Sequence, residues 1–380
     1  MRRELERIEI PDEHRARERA WPVVHAAFAE RQPVPQTSHW RRVAVVAVAL
    51  GAVVAAALSP PGQAVVDEIR EVVGIEHAQP ALFSLPAEGR LLVASDAGIW
   101  IVQDDGSKRL LGDYSEAAWS PFGRFVVAVR GNELAALEPD GDVRWIMARR
   151  AVRFPRWAGS ATDTRIAYLS SGDLHVVAGD GTDDVDLGGL HAAGRIAHAW
   201  RPGGGNVLAY VDWRGRVHAF DADTGRTFWP RRPFLSARFP DARKVMWSSD
   251  GRRLLLVTPS MLVVFGTESA SPLAVRQMPG VVDAEFEPGS HRLAIARRNE
   301  IALLDADRLG GKPRRLFTGA GPFERIAWSP DGRWLLVSWP AADQWVFVRA
   351  DGSSIRAAAN VTEQFRSRLF PRVEGWCCTP

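Results

Sequence analysis

The run Val43 to Leu58 (VAVVAVALGAVVAAAL) holds sixteen consecutive residues without a polar side chain. As a helix it spans roughly 24 Å at ~1.5 Å per residue, short of a ~30 Å hydrocarbon core. Trp40 and Ser59 extend it towards the two interfaces, and Pro60-Pro61 stop it. A soluble core helix of this length keeps a polar face, which this run lacks, so the pattern predicts a transmembrane helix over 40–59. Arg31, Arg41 and Arg42 precede it without an acid, whereas Asp67, Glu68, Glu71 and Glu76 follow it against one Arg70. By the positive-inside rule the N-terminus is cytoplasmic and the bulk of the chain extracytoplasmic. A cleaved signal peptide is the rival reading, but the segment before the apolar run is 42 residues long and favours an uncleaved single-pass anchor.

The flanking segments read as helical. Within residues 1–39, Trp21, Val24 and Phe28 share one face of a short amphipathic element spanning 12–30, and QPVPQTS (32–38) follows as a linker. This cytoplasmic stub is either a partner-binding helix or an interfacial one. Its position resembles, in layout only, the inner segment of transmembrane anti-sigma factors, whose His-Cys-Cys zinc signature is absent. Across 60–80, Val65, Val66, Ile69, Val72 and Val73 ending at Gly74 predict a stalk helix.

From Ala81 the spacing changes to period two with frequent turn signals, which predicts strands. A short unit recurs: Trp119-Ser-Pro121-Phe-Gly123-Arg, Trp200-Arg-Pro202-Gly and Trp247-Ser-Ser-Asp250-Gly251-Arg. It returns as Phe286-Glu-Pro288-Gly and Trp328-Ser-Pro330-Asp331-Gly332-Arg, with weaker copies at Leu85–Arg90 and around Trp157. The spacing, about 35–47 residues, is that of a four-stranded propeller blade. An apolar strand follows each copy, such as VLAYV (207–211) or LLVSW (335–339). A third strand then ends in Asp-Gly at 105–106, 140–141, 180–181 and 351–352. Asp-Gly predicts two-residue hairpin turns. A more polar fourth strand completes the unit. One such sheet cannot bury both faces, so the blades must close into a ring, and seven copies are counted.

The W-S-P-D-G-R-x-L-L-V string resembles the repeat of TolB-like propellers, a WD-repeat-like family of bacterial envelopes. The resemblance covers 81–358 and implies an all-β, seven-bladed propeller of four-stranded antiparallel blades in a bacterial protein. It implies fold far more than function. Ala219 to Trp229 is similar to the A-x-D-x-x-T-G-x-x-x-W element of quinoprotein-type propellers, and Ala135 to Trp145 is a fainter echo. The resemblance implies a structural tryptophan dock in that element. Residues 359–380 carry Phe365, Leu369, Phe370 and Trp376 and are expected to pack on the ring, closing it or covering an edge strand.

Composition adds exclusions. The chain has 380 residues, two Cys and a formal charge of +3, which fits neither a disulfide scaffold nor a nucleic-acid binder. The histidines (His14, His25, His39, His77, His175, His191, His198, His218 and His291) form no metal-ligand spacing, and no G-x-S-x-G elbow exists. Gly203-Gly204-Gly205 enters no helix, Asp104-Asp105 lacks the spaced carboxylates of a calcium loop, and Asp183-Asp184 is expected in a solvated hairpin. No catalytic, cofactor or metal residue is assigned. Cys377-Cys378 is a candidate disulfide or reactive thiol pair. The expectation is a non-catalytic, membrane-anchored module that binds a protein, peptide or glycan at the ring. The alternatives are a signalling role, with a cytoplasmic partner on 12–30, or an enzyme using the central cavity.

Overall fold

The computed structural model describes residues 78–79, 84–158, 165–203, 205–229, 238–267 and 272–378. The predicted stub, the run 43–58 and the stalk helix lie outside them. Among the described residues no helix is long and apolar enough to cross a membrane.

Seven sheets form among the described residues, each built on four antiparallel strands, which follow sequence order in six of them. The innermost strands of blades 2 to 7 are Glu116–Trp119, Val152–Trp157, Ala199–Trp200, Lys244–Trp247, Val281–Phe286 and Ile326–Trp328. Blade 1 is different. Its order is Arg372–Cys377, Arg90–Ser95, Gly98–Val102, Lys108–Gly112, so the C-terminal segment supplies its innermost strand. The ring therefore runs on to Cys377 instead of ending at 358, and it is closed by hydrogen bonds between the two ends of the domain. Ala78–Gln79 adds a short parallel strand outside Ile355–Ala359 on blade 7.

The core is divided between the blades. Seven apolar clusters among the described residues each join two neighbouring sheets: Leu92, Ile99 and Ile101 of blade 1 meet Val126, Ala128 and Leu137 of blade 2. Leu255, Val257 and Val264 of blade 5 likewise meet Ala284, Leu293 and Ile295 of blade 6. Second strands are thus covered on both faces; Val207–Val211 and Trp334–Trp339 are buried at every position. The period-two pattern expected throughout is lost in the second strands and kept in outer strands such as Pro272–Gln277, which have one face in solvent, and in the innermost strand Lys244–Trp247.

The Asp-Gly turns also differ from expectation. Gly106 N–H donates to the Gln103 carbonyl and Gln103 N–H to Ser107, and the turns at Gly141 and Gly181 repeat this pattern. Only the glycine takes a positive φ (85°, 102° and 86°), while the aspartate carboxylate caps the N–H two residues on. These are four-residue turns followed by a glycine bulge, a geometry that leaves Asp in an ordinary conformation.

Between blades 7 and 1 the short helix Val361–Gln364 delivers Phe365 against Trp100 and Trp345, at 5.8 and 5.1 Å between ring centroids. Phe365 and Trp376 are buried there and Phe370 packs alongside, but Leu369 is exposed.

Candidate functional site

The repeat residues act at the blade junctions. Each blade ends its inner strand at or near an aromatic residue: Trp119, Trp157, Trp200, Trp247, Phe286, Trp328 and, in blade 1, Trp376. Trp376-Cys377-Cys378 and Leu85–Arg90 are two halves of one repeat unit, joined across the ring closure where Arg90 pairs with Cys377. Three of the indoles reach the carbonyl just before the aromatic of the preceding blade. Trp200 Nε1 donates to Arg156 (2.9 Å), Trp247 Nε1 to Ala199 (3.2 Å) and Trp328 Nε1 to Glu285 (3.4 Å). Trp119, Trp157 and Trp376 bury the same nitrogen without a partner.

The turn after the aromatic is held from within. In blade 5 the Ser248 hydroxyl donates to Asp250 (2.6 Å) and accepts Arg253 N–H, while Asp250 accepts Arg252 N–H. Ser329, Asp331 and Arg333 repeat this in blade 7. Gly251 has φ +66°, and a Cβ there would lie 2.7 Å from the Pro202 carbonyl of blade 4, so the motif glycine permits both the turn and the close approach of blades. Pro121, Gly123, Pro202, Pro288, Pro330 and Gly332 occupy the matching turns, all on the face where inner strands end. Cys377 and Cys378 are paired as a vicinal disulfide beside this turn of blade 2, with Cys378 Sγ 3.3 Å from the Pro121 carbonyl. The motif residues hold the ring together, and Phe286, Pro288, Trp328 and Trp376 also border the space around its axis. The Trp145 echo is also a dock: its Nε1 donates to Gly179 of blade 3 (2.9 Å).

Asp184 is corrected from a solvated hairpin residue to a largely buried hub. It accepts from Arg149 and from the Tyr168 hydroxyl (2.6 Å), and His175 stacks on Tyr168. Burial, then the Asp184 carboxylate, push the Tyr168 phenol up. Blade 4 repeats the arrangement, with Asp212 accepting from Arg216 and His218 and with Tyr210 stacked on His218. The sequence reading missed these clusters. Their signal was a Tyr on the second strand directly opposite a His on the third.

The residues that do converge line the ring axis. All seven blades contribute to a central cavity of about 760 Å³. Its walls are charged: among the described lining residues seven are Arg or Lys and five are Asp or Glu. Three ion-pair groups use most of them. Lys244 of blade 5 binds Asp283 (2.8 Å) and Glu285 (2.9 Å) of blade 6. Burial opposes the charge on Lys244, but the two carboxylates outweigh it and raise its pKa; burial raises that of Glu285. Glu374 of blade 1 is held by Arg372 (3.2 Å) and Arg325 (4.0 Å), and Glu116 by Arg153 and the Phe154 N–H (2.6 Å).

Three cations remain. Arg156 donates to the carbonyl of its own neighbour Pro155, and burial lowers its pKa against the opposing pull of Glu374 and Glu116. Arg195 and Arg243 are exposed at the start of inner strands 4 and 5, and their side chains have no partner among the described residues. His198, 3% exposed, also lines the cavity. Neither of its ring nitrogens makes a well-formed hydrogen bond, and burial together with Arg156 pushes its pKa down to about 3. His198 is therefore a neutral imidazole at physiological pH.

The two faces of the ring differ. Strand alternation puts the starts of inner strands and the turns between second and third strands on one face, here called the mouth. The Asp-Gly turns lie on the other. Trp213, 65% exposed with Arg214 over its ring at 4.5 Å, belongs to the mouth. No group of His, Cys, Asp and Glu capable of holding a metal occurs among the described residues.

No known family model matches the chain, and no curated protein matches it in sequence. Solved structures do match in shape. A chain of the mitotic checkpoint complex is 16% identical, with 72% of this chain and 90% of that one covered and a TM-score of 0.53. Kluyveromyces lactis Hsv2 is 12% identical, with 72% and 94% covered and a TM-score of 0.50. At such identity the likeness speaks for the fold alone: the chain is a seven-bladed, four-stranded β-propeller with WD40-like structural neighbours.

Proposed function

We propose that this protein is a non-catalytic binding module, held at a bacterial membrane by residues 40–59 with its propeller on the extracytoplasmic side. It takes a protein or peptide partner at the mouth of the central cavity. The carrying observation is the mouth itself, where unpaired Arg195 and Arg243 share one face with the exposed Trp213. Arg and Trp are the side chains most often found as binding anchors. A binding role is favoured over a catalytic one because Glu116, Asp283, Glu285 and Glu374 are all engaged by cations or backbone N–H groups. Among the described lining acids only Glu324, exposed at the rim, has no such partner.

The test is site-specific photocrosslinking from position 213 in the full-length chain in its native membrane, with position 146 on the outer strand of blade 2 as reference. A discrete adduct from 213 alone is expected. Equal labelling from both positions, or none from 213, refutes the proposal. Release of the chain from the membrane fraction on deletion of 43–58 tests the anchor separately.

A further inference from the structure

We infer that the central cavity is a binding site for a compact oxyanion carrying about two negative charges, the chemistry of a dicarboxylate or a phosphate group. The inference rests on the cavity mouth being the binding face and names what the cavity behind it accepts.

Charge balance carries the argument first. Seven basic and five acidic side chains line the walls among the described residues, an excess of two positive charges in a confined volume of about 760 Å³. At contact distance most of the carboxylates are taken up by other cations. Glu374 and Glu116 are held by Arg372, Arg325 and Arg153, and the two carboxylates of blade 6 share Lys244. Arg156, Arg195 and Arg243 make no ion pair at contact distance, although Glu374 and Glu116 act on Arg156 from further off, and Glu324 alone among the acids is likewise unpaired. A guanidinium is costly to bury without an anion, and its fork of N–H donors matches a carboxylate or phosphate edge.

The second observation is independent of charge. His198 is almost fully buried, faces the same cavity and meets only the Ala167 backbone, which leaves one ring nitrogen without a partner. A buried polar group without a partner marks a place where one is missing. As a neutral imidazole with its N–H turned to the Ala167 carbonyl, His198 offers one acceptor lone pair, which suits a hydroxyl of the bound group beside Arg156. The inner strands supply Ala118, Ala199, Ala327 and Gly375 at the level of Arg156, so small side chains leave the axis open there. The site is thus a well with a buried Arg and His within and two exposed guanidiniums at the rim.

The experiment titrates the full-length chain with inorganic phosphate and with succinate, against sodium chloride at matched ionic strength, by calorimetry and thermal shift. Both dianions should bind and raise the melting temperature where chloride does not. The R195A/R243A variant, altered only at exposed unpaired positions, should weaken binding by about tenfold or more while melting normally. R156M should abolish it. R308A, on the opposite face, should leave it unchanged. An equal response to chloride, or unaltered affinity in R195A/R243A, overturns the inference. A partner crosslinked from position 213 without dianion binding also removes this inference while leaving the protein-binding role. Dianion binding without an adduct supports the anion site and removes the protein partner.

Discussion

Replacing Lys244 by methionine keeps most of the side-chain volume and deletes one charge from the wall of the cavity. Lys244 bridges blades 5 and 6, and Asp283 reaches on to blade 7 by accepting the Ile326 N–H at 3.2 Å. At an effective dielectric near 20, each contact of 2.8–2.9 Å is worth about 6 kcal/mol of attraction. Desolvation of three ions cancels most of that, so the intact triad contributes little net stability. Removing one partner is another matter, because it leaves two carboxylates facing each other with no counter-ion in contact. Breaking a buried pair costs about 3–5 kcal/mol. Lys244 keeps 29% side-chain exposure, so water recovers part of this and about 2–4 kcal/mol is expected.

The loss should depend on pH, and its sign follows from Glu285. Its pKa is raised in the folded state, chiefly by burial, so the native protein holds a proton there that the unfolded chain releases. Stability therefore falls as pH rises from the unfolded carboxyl range through the folded value. Without Lys244 only the weaker attraction of Arg325 offsets this, and the window extends upward. K244M should be nearest to wild type at pH 5 and furthest from it at pH 7.5. K244M/E285Q should recover about half of the loss and flatten its pH dependence. Urea midpoints at the two pH values measure both effects. A K244M deficit below about 0.5 kcal/mol at pH 7.5, or one identical at both pH values, would refute the reasoning.

Three further outcomes follow from the same structure. His291 bridges Asp250 of blade 5 (3.0 Å) and Asp307 of blade 6 (2.8 Å); burial lowers its pKa, but the two carboxylates outweigh it and leave it raised. Its contribution is fully present below about pH 6.5 and lost as pH rises through the folded value. The melting-temperature gap between wild type and H291Q should thus be wider at pH 6 than at pH 8, within about 1 kcal/mol for these half-exposed partners. W247F removes the hydrogen bond to Ala199 and should cost about 1 kcal/mol more than W157F, whose indole nitrogen has no partner; equal urea midpoints would contradict this. Ending the chain after Pro371 deletes the innermost strand of blade 1 with buried Val373 and Trp376, a loss of more than about 5 kcal/mol. Circular dichroism should show a broadened transition or none, whereas a normal melt would mean that the ring does not depend on this closure.

The amino-acid sequence alone determined the blade. Each Trp-Ser-Pro-Asp-Gly-Arg unit encodes its own turn through contacts a few residues apart, and the apolar runs that follow declare a strand covered on both faces. Sheets of that kind must stack, and the spacing of the units sets how many. What the sequence left open depends on angles around the axis and on partners far along the chain. Trp376 became the seventh aromatic only because the tail crosses back to the first blade, where its other half begins at Leu85. Lys244 and Asp283 lie 39 residues apart and meet only when two neighbouring blades are set side by side. Period two tells which side chains share a face of a strand, but not which of them reach the axis. The chemistry of the cavity, with its paired acids, lone arginines and buried His198, was therefore fixed by ring closure and was not legible before it.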